Sequence, residues 1–438
     1  MKKFLMIPGF ALAMLAFTGC GDDDENPIDP TDPTDPLMDN VLSGQITEDR
    51  TLTADAIWTL DGRVTIVDGV TLTIEPGTII KGNPGASADA AVLIIARGAT
   101  IDAEGTAENP IIFTSSTDNI AVGETAGTNL DQNDRGLWGG VVILGNAPIS
   151  VDGNVEAAQI EGIPADDING LYGGTDPNDN SGVLSYISIR HGGITLSAGN
   201  ELNGLTLGGV GSGTTINNIE VVANNDDGVE WFGGTVNVNN VFVWAQADDA
   251  IDIDQSYNGT IDNVVVVLGE ESDHALEIDG PEGQLISSFT LENATLIGNS
   301  ATNDGEIADY RSGATGATNN VLVFDFKDSS DVELDNNGVA QNFLDGNLTF
   351  SNWQVVLPVG IAAANEVFIE KGGCLTNCED DDDESMRTFE DLIILTPDFT
   401  ERAADWTSEL ANSDAATVGA ETSAFGWTYS NTKAGLGF

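Results

Sequence analysis

The sequence predicts an all-β chain wound into a right-handed parallel β-helix with capping segments. Three observations carry that prediction. Short runs of alternating apolar residues, separated by Gly or Pro turns, recur from about residue 57 to about residue 326 without helical runs between them. The composition is rich in turn and strand formers, with 51 glycines among 438 residues and abundant Thr, Asn, Asp, Val and Ile. Finally, three segments in the middle of the chain align on Asn218, Asn240 and Asn263, which lie 22 and then 23 residues apart. A period in the twenties marks a solenoid. The leucine spacing of a leucine-rich repeat is absent, whereas two or three short strands per turn fit the rung of a parallel β-helix.

The elements follow in chain order. Residues 1–19 open with Lys2 and Lys3 and continue as an apolar run from Phe4 to Phe17. This is a secretory signal, too short to span a membrane comfortably. Phe17–Cys20 resembles a bacterial lipobox, which implies cleavage before Cys20 and lipidation of its thiol. Gly21–Glu25 resembles the acidic tag that carries some Gram-negative lipoproteins to the outer face of the outer membrane; a solvated acidic linker is the alternative. The prolines between Asn26 and Pro36 stiffen the next segment into a tether. The expected organisation is therefore a signal peptide (1–19), a lipid anchor and tether (20–40), a parallel β-helix (41–330), and last coils with a C-terminal cap (331–438).

Charge narrows the partners. The formal net charge is −57, and loss of Lys2 and Lys3 with the signal makes it more negative by two. Nucleic acid is excluded as a partner, because phosphate is repelled. Attachment to a membrane is expected through the lipid only. Divalent cations, or a saline medium that screens the charge, are favoured. Besides Cys20 the cysteines are Cys374 and Cys378, expected to pair in an exported protein.

Inward and outward positions can be assigned in the middle rungs. Val229 and Trp231, Ile251 and Ile253, Leu276 and Ile278 take the core by period-two alternation. Asn218, Asn240 and Asn263 then stack at a turn. The outward residues are Glu230, Asp252 and Glu277, with a second column of Phe232, Asp254 and Asp279. Asp226, Asp227, Asp248, Asp249 and Asp273 stand just upstream. Rungs lie about 4.8 Å apart, so these carboxylates repel one another. Calcium, which accepts six to eight oxygens in irregular geometry, is the expected neutraliser; a splayed, hydrated acidic face is the alternative. A further cation candidate is Asp176, Asn178 and Asn180 followed by Gly182, which resembles the start of a calcium loop but has Ile187 where an EF-hand has Glu. An Asx-rich turn explains the same residues.

Leu72–Thr78, Glu104–Thr106, Gly136–Val141, Tyr186–Gly193 and Asn203–Gly209 resemble motifs of exported lipoproteins in the pectin-lyase-like superfamily, over roughly residues 45–330. The resemblance implies the fold and an extracellular location, and no activity by itself. Two function classes stand against each other. The first is a non-enzymatic surface protein for adhesion or glycan binding, stabilised by calcium. Val222, Trp244 and Val267 align as an outward column beside the acidic shelf, so Trp244 and Phe232 are candidate sugar contacts. In the other reading of the aromatics, the C-terminal tail, with a possible helix from Phe399 to Leu410 and the apolar patch Phe425–Tyr429, covers them. The second class is a calcium-dependent polysaccharide lyase or glycoside hydrolase. Asp227 and Asp249 faintly resemble the carboxylate cluster of polygalacturonases, but the Gly-His-Gly and Arg-Ile-Lys motifs of that family are missing downstream. Arg190 and His191 are the candidate bases, with a structural hydrogen-bond cluster as their other reading.

Overall fold

The computed structural model describes residues 40–85, 90–195, 202–302, 305–370, 374–376, 388–389 and 399–438. The lipobox cysteine, the acidic tag and Cys378 lie outside them, as does the side chain of Cys374. Twenty-four strands pair into one large sheet wound as a right-handed parallel β-helix. In the middle coils one long strand, Thr215–Val222, Val238–Trp244 or Thr260–Val267, bends at its asparagine and so lines two faces. A shorter strand, Val229–Phe232, Ile251–Asp254 or Leu276–Ile278, lines the third.

Register follows the predicted alternation. Val229 pairs with Ile251 and Ile251 with Leu276, all fully buried in a core that runs the length of the solenoid. Each coil buries apolar residues on apolar residues of the next, which is where parallel sheets covered on the inner face gain their stability.

The bend depends on asparagine. Asn218, Asn240 and Asn263 have φ of 55°, 59° and 64°, the left-handed region that most L-residues avoid and Asn tolerates. Their amides then stack. Asn240 Nδ2 donates to Asn218 Oδ1 at 3.2 Å, and Asn263 Nδ2 to Asn240 Oδ1 at 2.6 Å. The ladder resumes lower down, from Asn320 to Asn293 and from Asn352 to Asn320, each at 3.1 Å. One coil above Asn218, Tyr186 takes the same bend with φ 52°.

Parallel pairing continues below residue 330 through Val332–Leu334, Leu348–Val356, Phe368–Glu370 and Thr407–Leu410. A helix the alternation did not suggest, α1 (Asn337–Asp345), is capped by Asn336, whose Oδ1 accepts from Val339 N, and stopped by Gly346 at φ 74°. The helix expected from Phe399 to Leu410 is cut to a single turn, Phe399–Arg402, and Thr407–Leu410 is an edge strand instead. Tertiary packing overrides the local pattern there: Trp406 stacks on Phe350 and Phe399, and with Phe343, Trp353 and Phe368 these rings plug the end of the core.

The tail then climbs back along the second face as a strap. Gly419 meets Thr295 and Leu322, Glu421 N donates to Asn263 Oδ1, and Phe425 packs edge-on against Phe242. Two results are expected. Asn240→Ala loses two amide bonds and forces alanine into the left-handed region, a cost of about 2 kcal/mol; Asn240→Gly, which keeps the bend, loses less, both read as shifts in the denaturation midpoint. Phe425→Ala empties the seat of the strap and costs about 3 kcal/mol, with Trp244 fluorescence shifting to the red as its cover loosens.

Candidate metal centre

The outer surface of the third face changes character along the solenoid. In its upper coils the outward residues are Ile94 and Val142, roofed by the segment that carries Ile149, Ile160 and Tyr172. After Thr206 the column becomes Glu230, Asp252, Glu277, Asp309 and Glu333, each in register with the next. The strand alternation that buries Trp231 and Ile253 necessarily turns these carboxylates to the outer side. They are not the exposed groups that the sequence suggested: all five are only 5–8 % exposed, packed between their neighbours above and below and the corners on either side. Asp309 and Glu333 escaped the sequence reading because the coils lengthen below Asn263, to 30, 27 and then 32 residues between successive bend asparagines. An alignment on a period of 22–23 loses them, although the alternation around Tyr310 and Leu334 carries the same signal.

Burial, followed by the charge of Asp252 and Asp227, pushes Glu230 well above the usual carboxylate range. Burial pushes Asp252 the same way, reinforced by Asp249 and Asp254 and opposed by Arg311. Asp227, Asp254 and Asp309 are likewise raised, chiefly by burial, and Asp279 is pushed up to about 6. The acids therefore stand in an environment that disfavours their charge. Asn203 Nδ2 donates to Glu230 Oε2. Asp252 Oδ1 is buried and has no hydrogen-bond partner, an arrangement that costs stability unless something else meets the oxygen.

Two side chains of the protein neutralise part of the array. Arg311 donates through Nη2 to Glu277 and through Nε to Asp279 at 2.7 Å. His274 Nδ1 lies 2.8 Å from Asp249 Oδ1. Burial pulls His274 down, but Asp249 and Asp273 outweigh it and hold the ring well above the usual imidazole range. The cluster of Asp249, Asp273 and His274 thus contains a group that can supply its own counter-charge. Asp227, Glu230 and Asp252 present oxygens within 4.8 Å of one another. Two calcium–oxygen bonds of about 2.3–2.6 Å on opposite sides of an ion span that distance, and an all-carboxylate donor set suits a hard cation. Asp226, Asp227 and Asp248 form a neighbouring group with the same spacing, as do Asp252, Glu277 and Asp279, and, lower down, Glu306, Asp331 and Glu333.

Other sequence candidates are placed elsewhere. Asp227 Oδ1 accepts from Asp249 N, and Asp249 Oδ1 from His274 N, so each aspartate ties its coil to the next. Arg190 and His191, weighed as candidate bases against a structural hydrogen-bond cluster, are buried on a different part of the coil, as the structural reading has it. Arg190 Nε donates to Ser188 Oγ and Nη1 to Thr125 O; its guanidinium lies 3.8 Å from Glu220 and 4.4 Å from the Tyr429 ring centre. His191 Nδ1 is 2.6 Å from Asp134 O, and burial lowers its pKa. Arg190 ties the strap and the loop around residues 116–135 to the coil, because a buried charge must be paired where it stands, and His191 anchors the same loop through Asp134. Trp244 and Phe232 are likewise not open sugar platforms. Trp244 lies under Tyr429, and Phe232 packs edge-on to Tyr172. The covering tail anticipated for the aromatics is there, laid along a side of the solenoid. In the Asp176 segment, Asp176 Oδ1 accepts from Asn178 N, Asn180 Oδ1 from Gly182 N, and Asn178 Oδ1 from Ser212 Oγ. The Asp176 and Asn180 bonds are Asx turns, and the Asn178 bond ties the segment to the next coil.

Comparison with protein-family models matches residues 44–386 to the pectate-lyase like beta helix domain. No curated protein and no solved structure matches the chain.

The raised acids set a pH dependence. An acid whose pKa is higher in the folded chain binds more protons folded than unfolded between its ordinary and its raised value, so stability falls as pH rises through that window. For Asp279 the window runs from 3.8 to about 6. His274 acts in the same direction, its contribution present below the ordinary imidazole value and lost as pH rises through the raised one. With a chelator present, the melting temperature is expected to fall between about pH 5 and about pH 8, and added calcium is expected to flatten the fall. A flat profile in chelator contradicts this account of the array.

Proposed function

The chain belongs to the pectate-lyase-like β-helix domain family, and from that premise we propose that it is a non-enzymatic cell-surface protein for adhesion or glycan binding, whose acidic third face holds hard divalent cations, calcium foremost. The observation that carries the reading is the buried cluster of Asp227, Glu230 and Asp252, with Asp252 Oδ1 lacking a hydrogen-bond partner. A calcium ion held by these three carboxylates supplies the missing counter-charge and leaves coordination positions for hydroxyl or carboxylate oxygens of a polysaccharide. The export signal and the lipobox around Cys20 support a lipid-anchored protein at the outer membrane facing outward. Among the described residues no helix is long and apolar enough to cross a membrane.

Binding is preferred to catalysis because the candidate bases Arg190 and His191 are buried beneath the tail and a loop. The second reading, a calcium-dependent lyase or glycoside hydrolase, is favoured by one feature, Arg311 beside the carboxylates, although its Nε and Nη2 are spent on Glu277 and Asp279. Thermal unfolding with calcium and with chelator, over a panel of acidic and neutral polysaccharides, separates the two. Calcium at about 100 times its dissociation constant stabilises by about 2.7 kcal/mol. Glu230→Gln combined with Asp252→Asn is expected to abolish that gain and to raise the melting temperature in chelator, since it removes repulsion. An unchanged calcium response in this variant removes the cluster from the proposal. Unsaturated or reducing ends appearing in the same samples replace the binding reading with the enzymatic one.

A further inference from the structure

Asp252 belongs to two carboxylate clusters at once. With Asp227 and Glu230 it forms the one above, and with Glu277 and Asp279 the one below; in both, the oxygens lie within 4.8 Å of one another. The two differ in what stands among them. No Lys, Arg or His side chain pairs with Asp227, Glu230 or Asp252 among the described residues. In the lower cluster, Arg311 reaches across from the following coil and donates to both Glu277 and Asp279, while His274 Nδ1 stands 3.7 Å from Glu277 and is bonded to Asp249 instead. The guanidinium acts on Asp252 only through its charge and makes no hydrogen bond to it; Asp252 is 8 % exposed and its Oδ1 is buried without a hydrogen-bond partner.

We propose that the lower cluster is a second divalent-cation site and that Arg311 is a tethered cation occupying it. Two neighbouring trios of carboxylates, sharing one aspartate, solve the same charge problem in two ways: the upper with an ion from solution, the lower with a guanidinium on the chain. Arg311 is also displaceable. Its side chain is 36 % exposed, against 10 % for Glu277 and 15 % for Asp279, so the guanidinium has a path to water that the carboxylates lack. The native chain thus takes one ion tightly, and a second enters only when Arg311 swings out. This gives the protein a graded response to cation concentration, set by the competition between a tethered charge and a free one. The inference rests on the reading of the array as a cation binder.

Calorimetric titration of the full chain with calcium alone tests it. The native protein is expected to bind one ion tightly. Arg311→Gln is expected to bind two, the second roughly tenfold tighter or more than any second ion in the native chain. Arg311→Lys keeps a tethered charge and is expected to retain the single tight site. In chelator Arg311→Gln should melt below the native protein, and calcium should restore it; a variant that folds only in calcium meets the same expectation. One tight ion in both the native chain and Arg311→Gln overturns the inference and leaves the upper site standing. No calcium bound by the native chain overturns the cation reading itself.

Discussion

Parallel pairing at one rung per coil is the constraint on which the rest of this molecule depends. Each strand meets its own counterpart about 4.8 Å away, so whatever a position carries is placed against the same position of the next coil. Inside, the consequence is favourable: Val229, Ile251 and Leu276 stack apolar on apolar. At the bend it is also favourable, because an amide is both donor and acceptor and can bond to its own copy, as Asn218, Asn240 and Asn263 do. On the outside the same rule is costly whenever the repeated residue is an acid. A carboxylate accepts but does not donate, and five of them in register have nothing to offer one another.

The fold answers this stacking differently on each face. The outer second face repeats Val222 and Trp244 on one line and Phe242 and Val265 on another, and the strap from residue 417 onward lies over it. Where that face does carry a charge, Glu220, the strap and the coil bring complete satisfaction: Ser188 donates to one oxygen, Ser430 donates twice to the other, and Arg190 stands 3.8 Å off. The upper third face repeats Ile94 and Val142 and receives an apolar roof. Glu220 and Glu230 are thus both buried glutamates on outward positions, one partnered at both oxygens and the other, with Asn203 as a donor, raised by burial and its neighbours' charge.

Much of this was legible in the sequence, and what was legible was local. The asparagine spacing fixed the coil length, and with it the registers of Glu230, Asp252 and Glu277, because period-two alternation around Trp231, Ile253 and Ile278 admits only one phase. A covering tail for the aromatics and a structural hydrogen-bond cluster for Arg190 and His191 were among the readings the sequence offered, but the partners that decide them were not legible, since each lies far along the chain: Tyr429 for Trp244 and Arg190, Tyr172 for Phe232, Asp134 for His191. Outwardness on a rung is a property of the strand, whereas exposure is a property of what is laid over it. The single-turn helix at Phe399 failed for the same reason, its successor strand being recruited by Trp353–Val356. By contrast, α1 carried its own signals in Asn336 and Gly346, and those could have been read.

The mixture of internal and missing counter-charge on the third face bears on what kind of site it is. A purely structural column of acids would be fully served by side chains, as Glu220 is, because an unserved buried oxygen costs more than the bond it forgoes. A catalytic pair would keep a base and an acid poised in a reachable cleft, whereas here His274 is held by Asp249 and Arg311 by Glu277 and Asp279. Partial service, with Asp252 Oδ1 left over between two trios of carboxylates, sets this array apart from Glu220. On the proposed reading such a surface is completed by cations from solution, with His274 and Arg311 supplying the positive charge that the chain itself provides.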